Sequence, residues 1–118
     1  MFILFKKIKL SHNEDQQQLI VTVIEAAELI AKDSNGFSDP FVKICLLPGR
    51  EKDHKRRTHH VLKNLNPVWN HSSVYPNVYR EELRNKTLEF STWDWDRFKK
   101  NDFLGIVRID LNGKLIFF

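Results

Sequence analysis

The chain has 118 residues, enough for one domain, residues 1–118, with a small hydrophobic core. Its residues are 42% hydrophobic and 29% charged, which excludes a disordered chain and a membrane-embedded one. Lys and Arg number 19 against 15 Asp and Glu, a net charge of +4 that favours anionic partners such as phospholipid headgroups or nucleic acid. Cys45 is the one cysteine, so no intrachain disulfide forms and a reducing, cytosolic setting fits. Met1 to Phe5 is apolar but lacks the basic lead and cleavage site of a signal peptide. No run reaches the ~18 apolar residues of a bilayer span, so any membrane contact is expected to be peripheral.

In chain order, Lys7-Ile8-Lys9-Leu10 alternates like a half-buried strand. Glu14 to Gln18 is a polar turn, and Leu19 to Ile24 is β-branched and strand-like. Ala26 to Phe37 is a loop. Phe41 to Leu47 forms a third strand, ended by Pro48-Gly49. Arg50 to His60 is basic, and a fourth strand is expected at Arg57 to Leu62. Lys63 to Pro67 turns into a fifth at Val68 to Tyr75. Tyr79 to Lys86 has the composition of a helical turn. Leu88 to Trp93 and Phe103 to Leu111 complete the strands. Such short strands with turns between them predict an all-β antiparallel sandwich. Its core should include Leu19, Val21, Val23, Phe41, Ile44, Leu88, Phe90, Leu104 and Ile106.

Two acidic stretches carry the chemistry. In Trp93-Asp94-Trp95-Asp96, the two carboxylates project to one face of an extended backbone. Asp102 returns a third after the loop Arg97 to Asn101. Upstream, Asp33 and Asp39 flank a Ser-Asn-Gly turn. Clustered carboxylates repel one another unless a cation lies between them. Ca²⁺ takes roughly 6–8 oxygen ligands, so both stretches are needed for one site. Setting these five aspartates aside, the remaining charges sum to +9 (19 minus 10), which predicts an acidic end on a basic body.

Three segments carry a resemblance: Asp33-Ser34-Asn35-Gly36-Phe37-Ser38-Asp39-Pro40-Phe41-Val42-Lys43, then Leu65-Asn66-Pro67-Val68-Trp69-Asn70, then Trp93 to Phe98 with Asn101 to Gly105. Over about residues 8–111 the chain resembles a C2 domain of the calcium-dependent membrane-binding type found in synaptotagmins, rabphilin and conventional protein kinases C. The runs Leu46 to Arg50, Lys55 to Thr58 and Thr87 to Glu89 are most similar to the domains of the presynaptic scaffolds piccolo and RIM. The resemblance implies an eight-stranded Greek-key sandwich with calcium loops at one end. Residues 112–118 depart from it: after the Asn112-Gly113 turn, Lys114 to Phe118 either replaces the eighth strand or leaves the chain short of it.

The resemblance implies calcium ligands at Asp33, Asp39, Asp94, Asp96 and Asp102, with carbonyl oxygens from Lys32 and Trp95. Lys99 stands where many members carry Ser or Thr at an outer site; an ammonium cannot ligate a cation. Two calcium ions are therefore expected rather than three. Phe98 is expected to insert into the membrane, with Lys99 and Lys100 attracting headgroups. The polar tip Ser34-Asn35-Gly36 offers no matching wedge, so insertion should be shallow and one-sided. Lys43, Lys55, Arg56, Arg57, Trp93 and Asn101 fall at positions used for phosphoinositide headgroups.

The expected function is calcium-dependent binding of anionic membranes, phosphatidylserine and phosphoinositides included. The module is expected to be monomeric, to belong to a larger trafficking or signalling protein, and to have trafficking proteins as further partners. It would lie at the cytosolic face of membranes in a presynaptic setting. The alternative is a calcium-independent phosphoinositide or protein-interaction module using the basic strand. Nucleic acid fits the net charge, but no recognition motif supports it. No nucleophile elbow, phosphate loop or acid–base pair in a cleft points to an enzyme.

Overall fold

The computed structural model describes residues 4–29 and 38–112. Among these residues seven strands form: β1 Leu4–Asn13, β2 Gln18–Ala27, β3 Pro40–Leu47, β4 Lys55–Arg57, β5 Val68–Tyr75, β6 Thr87–Asp94 and β7 Asp102–Asp110. Short 3₁₀ turns span Lys52–His54 and Arg80–Asn85. The strands pair antiparallel into two sheets, in the orders β1-β2-β5 and β4-β3-β6-β7. An eighth strand after Leu111 would fall outside the described residues. Among those residues no helix is long and apolar enough to cross a membrane.

Alternation decides which side chains meet between the sheets. Leu19, Val21 and Val23 of β2 are fully buried, against Ile44 and Leu46 of β3 and Leu88 and Phe90 of β6. Trp69 and Tyr75 close the layer from β5. The Tyr75 hydroxyl donates to the His54 carbonyl at 3.0 Å, and burial pushes its pKa well up. Cys45 is buried, its thiol donating to the Gly49 carbonyl at 3.5 Å.

Two expectations are corrected. Ile106 is half-buried rather than in the core. Between Thr92 and Trp93 the β6–β7 register shifts: Thr92 faces Gly105 while Trp93 faces Phe103. Leu104 is thus the extra residue of a bulge, which reverses the alternation after it. Val107 and Ile109 then pack on the core, and Ile106 pairs with Ser91 on the outer face. Phe41 is fully buried as expected, on the outer face of β3 where Arg57 lies over its ring at 4.1 Å. The fourth strand runs Lys55–Arg57, earlier and shorter than Arg57 to Leu62. Its ladder with β3 ends at Lys43–Arg57, and the chain then runs on irregularly beside β3, the Thr58 N–H donating to the Val42 carbonyl at 2.9 Å and the Val61 N–H to the Pro40 carbonyl at 3.0 Å.

Candidate calcium end and basic groove

Strand register gathers the acidic residues. Pro40 faces Asp94, and Asp94 faces Asp102, so Asp39, Asp94 and Asp102 stand at neighbouring strand ends. The Asp39 N–H donates to Asp94 Oδ1 at 2.8 Å, and the Trp95 N–H donates to the Asp39 carbonyl at 2.9 Å. Asp94 is only 3% exposed. Asp39 Oδ1 accepts the Lys63 N–H at 2.6 Å. Asp96 Oδ1 accepts the N–H groups of Phe98 at 2.8 Å and Lys99 at 3.1 Å. Backbone donors thus hold one oxygen of each of three carboxylates, so the aspartates are oriented by the chain itself. Asp33 and Lys32 lie outside the described residues.

The donor set suits a hard cation: the aspartates supply oxygen, and no thiolate stands among them. Among the described residues, no three His, Cys, Asp or Glu side chains converge closely enough to hold a metal ion. A site would therefore draw on the upstream stretch as well.

The loop after β6 is stiff at its base and bare at its tip. Asn101 Oδ1 accepts the Asp96 N–H at 2.8 Å, so Asn101 braces this loop. Phe98 is 89% exposed, and Arg97, Lys99 and Lys100 are exposed around it. Asp39, Trp95, Asp96, Arg97 and Phe98 line a hollow of about 260 Å³.

Residues 60–67 complete this end. The Val61 N–H donates to the Pro40 carbonyl at 3.0 Å and the Asn64 N–H to the Ser38 carbonyl at 2.8 Å. His60 stacks on Trp95, rings 4.1 Å apart and 4° from parallel. Asn66 Oδ1 accepts the Glu28 N–H at 3.0 Å, and Trp69 Nε1 donates to the Pro40 carbonyl at 3.2 Å. The Asn66-Pro67-Val68-Trp69-Asn70 motif is thus a clamp between Glu28 and the start of β3. His71 lies with its ring 6.3 Å from that of His59; burial, then the nearby His59, lowers its pKa.

A second feature lies on the outer face of the four-stranded sheet. Lys43, Lys55, Arg56, Arg57, Ser91 and Trp93 line a groove of about 510 Å³, together with Arg50, Lys52 and Glu89. Lys43 Nζ lies 4.4 Å from the Trp93 ring centre. The structure thus brings together every expected headgroup residue on β3, β4 and β6; Asn101 braces the loop instead. Arg56 is engaged elsewhere, over the Tyr75 ring at 4.3 Å with a hydrogen bond to the Val74 carbonyl at 3.0 Å. The exposed cations of β4 are Lys55 and Arg57.

Sequence reasoning missed Glu89 on the groove floor. Arg50 binds it in a fork at 2.9 and 3.1 Å, and Arg108 Nε donates to Oε2 at 2.8 Å. The Arg50 hydrogen bonds hold its carboxyl below the usual range; burial opposes them and Arg108 assists. The available signal was register: Glu89 faces Arg108 across β6 and β7. Leu62 and Lys63 were also missed, though an apolar–basic pair before Asn66-Pro67 was visible.

This two-sheet fold, with Asp39, Asp94, Asp96 and Asp102 at one end, defines a class. Residues 17–116 match the family profile of the C2 domain, and the chain belongs to that family. It is 48% identical over 116 residues to protein piccolo of Homo sapiens, covering 91% of this chain and 2% of that protein. It is 47% identical over 94 residues to synaptotagmin-C of Diplobatis ommata, covering 80% of this chain and 17% of that protein. Among solved structures, a C2 domain of RIM from Drosophila superposes with TM-score 0.86 at 37% identity, covering 92% of this chain and 86% of that one. The corresponding C2 domain of RIM2 gives 0.80 at 39% identity, covering 92% and 84%. The chain thus spans a small part of its full-length relatives.

Proposed function

We propose that this chain is a noncatalytic, calcium-dependent docking module for anionic membranes, working at the cytosolic face within a larger presynaptic or trafficking protein. The observation that carries this is one end of the sandwich: carboxylates oriented by backbone N–H groups beneath a bare Phe98. The relatives in piccolo and synaptotagmin support the setting. Asp33, Asp39, Asp94, Asp96 and Asp102, with the carbonyls of Lys32 and Trp95, would hold two Ca²⁺, whose charge would offset the carboxylates and favour anionic headgroups. The chain does the rest. Asp39, Asp94 and Asp96 are held in place by the backbone. Lys99 and Lys100 attract headgroups, each contributing ~1 kcal/mol near an anionic surface. Phe98 enters the acyl boundary.

Calcium titration calorimetry tests the site. The wild type should bind two ions, and Asp94→Asn/Asp96→Asn should bind none. A third ion at saturation would overturn the role given to Lys99, and an unchanged double variant would overturn the site.

The groove supports a second reading, calcium-independent recognition of phosphoinositide or acidic protein. Lys43 on Trp93 and Arg57 on Phe41 present cations on aromatic supports beside Lys55. Chelator separates the two: the first reading loses vesicle binding, and the second keeps it.

A further inference from the structure

The end carrying Asp39, Asp94 and Asp96 exposes a second large apolar side chain. Leu62 is 66% exposed, beside 89% for Phe98. Leu62 lies between β4 and β5 and Phe98 between β6 and β7, yet the two segments are tied. His60 stacks face to face on Trp95, 4.1 Å apart, one residue from each segment. The Val61 N–H donates to the Pro40 carbonyl at 3.0 Å, and the Lys63 N–H donates to Asp39 Oδ1 at 2.6 Å. Leu62 is thus flanked on both sides by residues bonded to the acidic end, with its own side chain left in solvent. Lys63 has φ +46°, which turns the chain sharply after Leu62.

We infer that Leu62 is a second membrane anchor, so that the module docks by two apolar side chains on two segments tied to each other. This rests on the membrane-docking reading and replaces one-sided insertion with a two-point dock. The occupant is an anionic bilayer, and charge argues for it. Lys63, Arg97, Lys99 and Lys100 are all exposed around the two apolar tips. Cations around apolar tips match the headgroup layer above an acyl interior. The tie also has an energetic consequence. Side chains held in fixed relation lose less freedom on docking than two on independent loops. Two points restrain the tilt of the module along the line joining them, which a single point leaves free.

The test uses phosphatidylcholine–phosphatidylserine vesicles at saturating calcium, with Leu62→Ala, Phe98→Ala and the double variant. Both residues are exposed, so the fold should survive each change. Each single variant should lose about tenfold in affinity, and the double variant more than either. A second readout places a polarity-sensitive fluorophore at Leu62→Cys in a Cys45→Ser background, with acyl-chain nitroxide lipids as quencher. The Leu62 label should be quenched only with calcium. A label at Val74→Cys, exposed on β5, should not be quenched. Full affinity of Leu62→Ala, or a Leu62 label left unquenched while Phe98→Ala weakens binding, overturns the second anchor alone. Wild-type protein that ignores these vesicles in calcium overturns both this inference and the reading beneath it.

Discussion

Glu89 sits 6% exposed on the floor of a basic groove, between Arg50 and Arg108. Because its folded pKa is lowered, its contribution to stability is present above the ordinary glutamate range, about 4.3. That contribution is lost as pH falls through the lowered folded value. Glu89→Gln should therefore lower the melting temperature at pH 7, and its melting temperature should fall less steeply between neutral and acid pH. Circular dichroism melts across that range check it; parallel curves for the two proteins would contradict it. Phe98 should behave oppositely. At 89% exposure, Phe98→Ala should leave the melting temperature unchanged while weakening vesicle binding.

At the scale of elements, the motif around Trp69 ties β5 to the entrance of β3. Trp69→Phe keeps the ring's bulk but leaves the Pro40 carbonyl without the indole donor. That should cost about 1–3 kcal/mol, measurable by urea unfolding. If β4 serves phosphoinositides, Lys55→Ala/Arg57→Ala should remove a preference for phosphoinositide vesicles while calcium-dependent phosphatidylserine binding persists. Arg56 is left in place because its guanidinium holds β5. Much at this scale was legible. Alternation marked β1 and β6, β-branched residues marked β2 and the Pro48-Gly49 stop bounded β3, while the two acidic stretches anticipated that Asp39, Asp94 and Asp102 would meet at one end. What failed has a physical cause. The bulge at Leu104 reverses a period-two pattern without changing composition, so Ile106 could not be told from a core residue. The fourth strand was misplaced because Lys55 and Arg56 look like solvated loop. Only the β3 partner and the Tyr75 ring make them strand. Asn101 carried no mark of its bond to the Asp96 N–H.

Across the whole molecule, charge is separated. Asp39, Asp94, Asp96 and Asp102 stand at one end, and basic residues line the outer face of the four-stranded sheet. The composition pointed the same way, since the +4 overall charge becomes +9 once five loop aspartates are set aside; Asp33, one of the five, lies outside the described residues. The join between the loops was not legible, because stacking of His60 on Trp95 depends on strands far apart in sequence. On the proposed reading the acidic end is a switch, repelling an anionic surface until its charge is offset. The direct measurement is cosedimentation with phosphatidylserine vesicles across a calcium titration, for the wild type and Asp94→Asn/Asp96→Asn. Binding should rise with calcium, vanish with chelator and be lost in the double variant. Binding that ignores both calcium and the double substitution would contradict the switch and move the function to the basic groove.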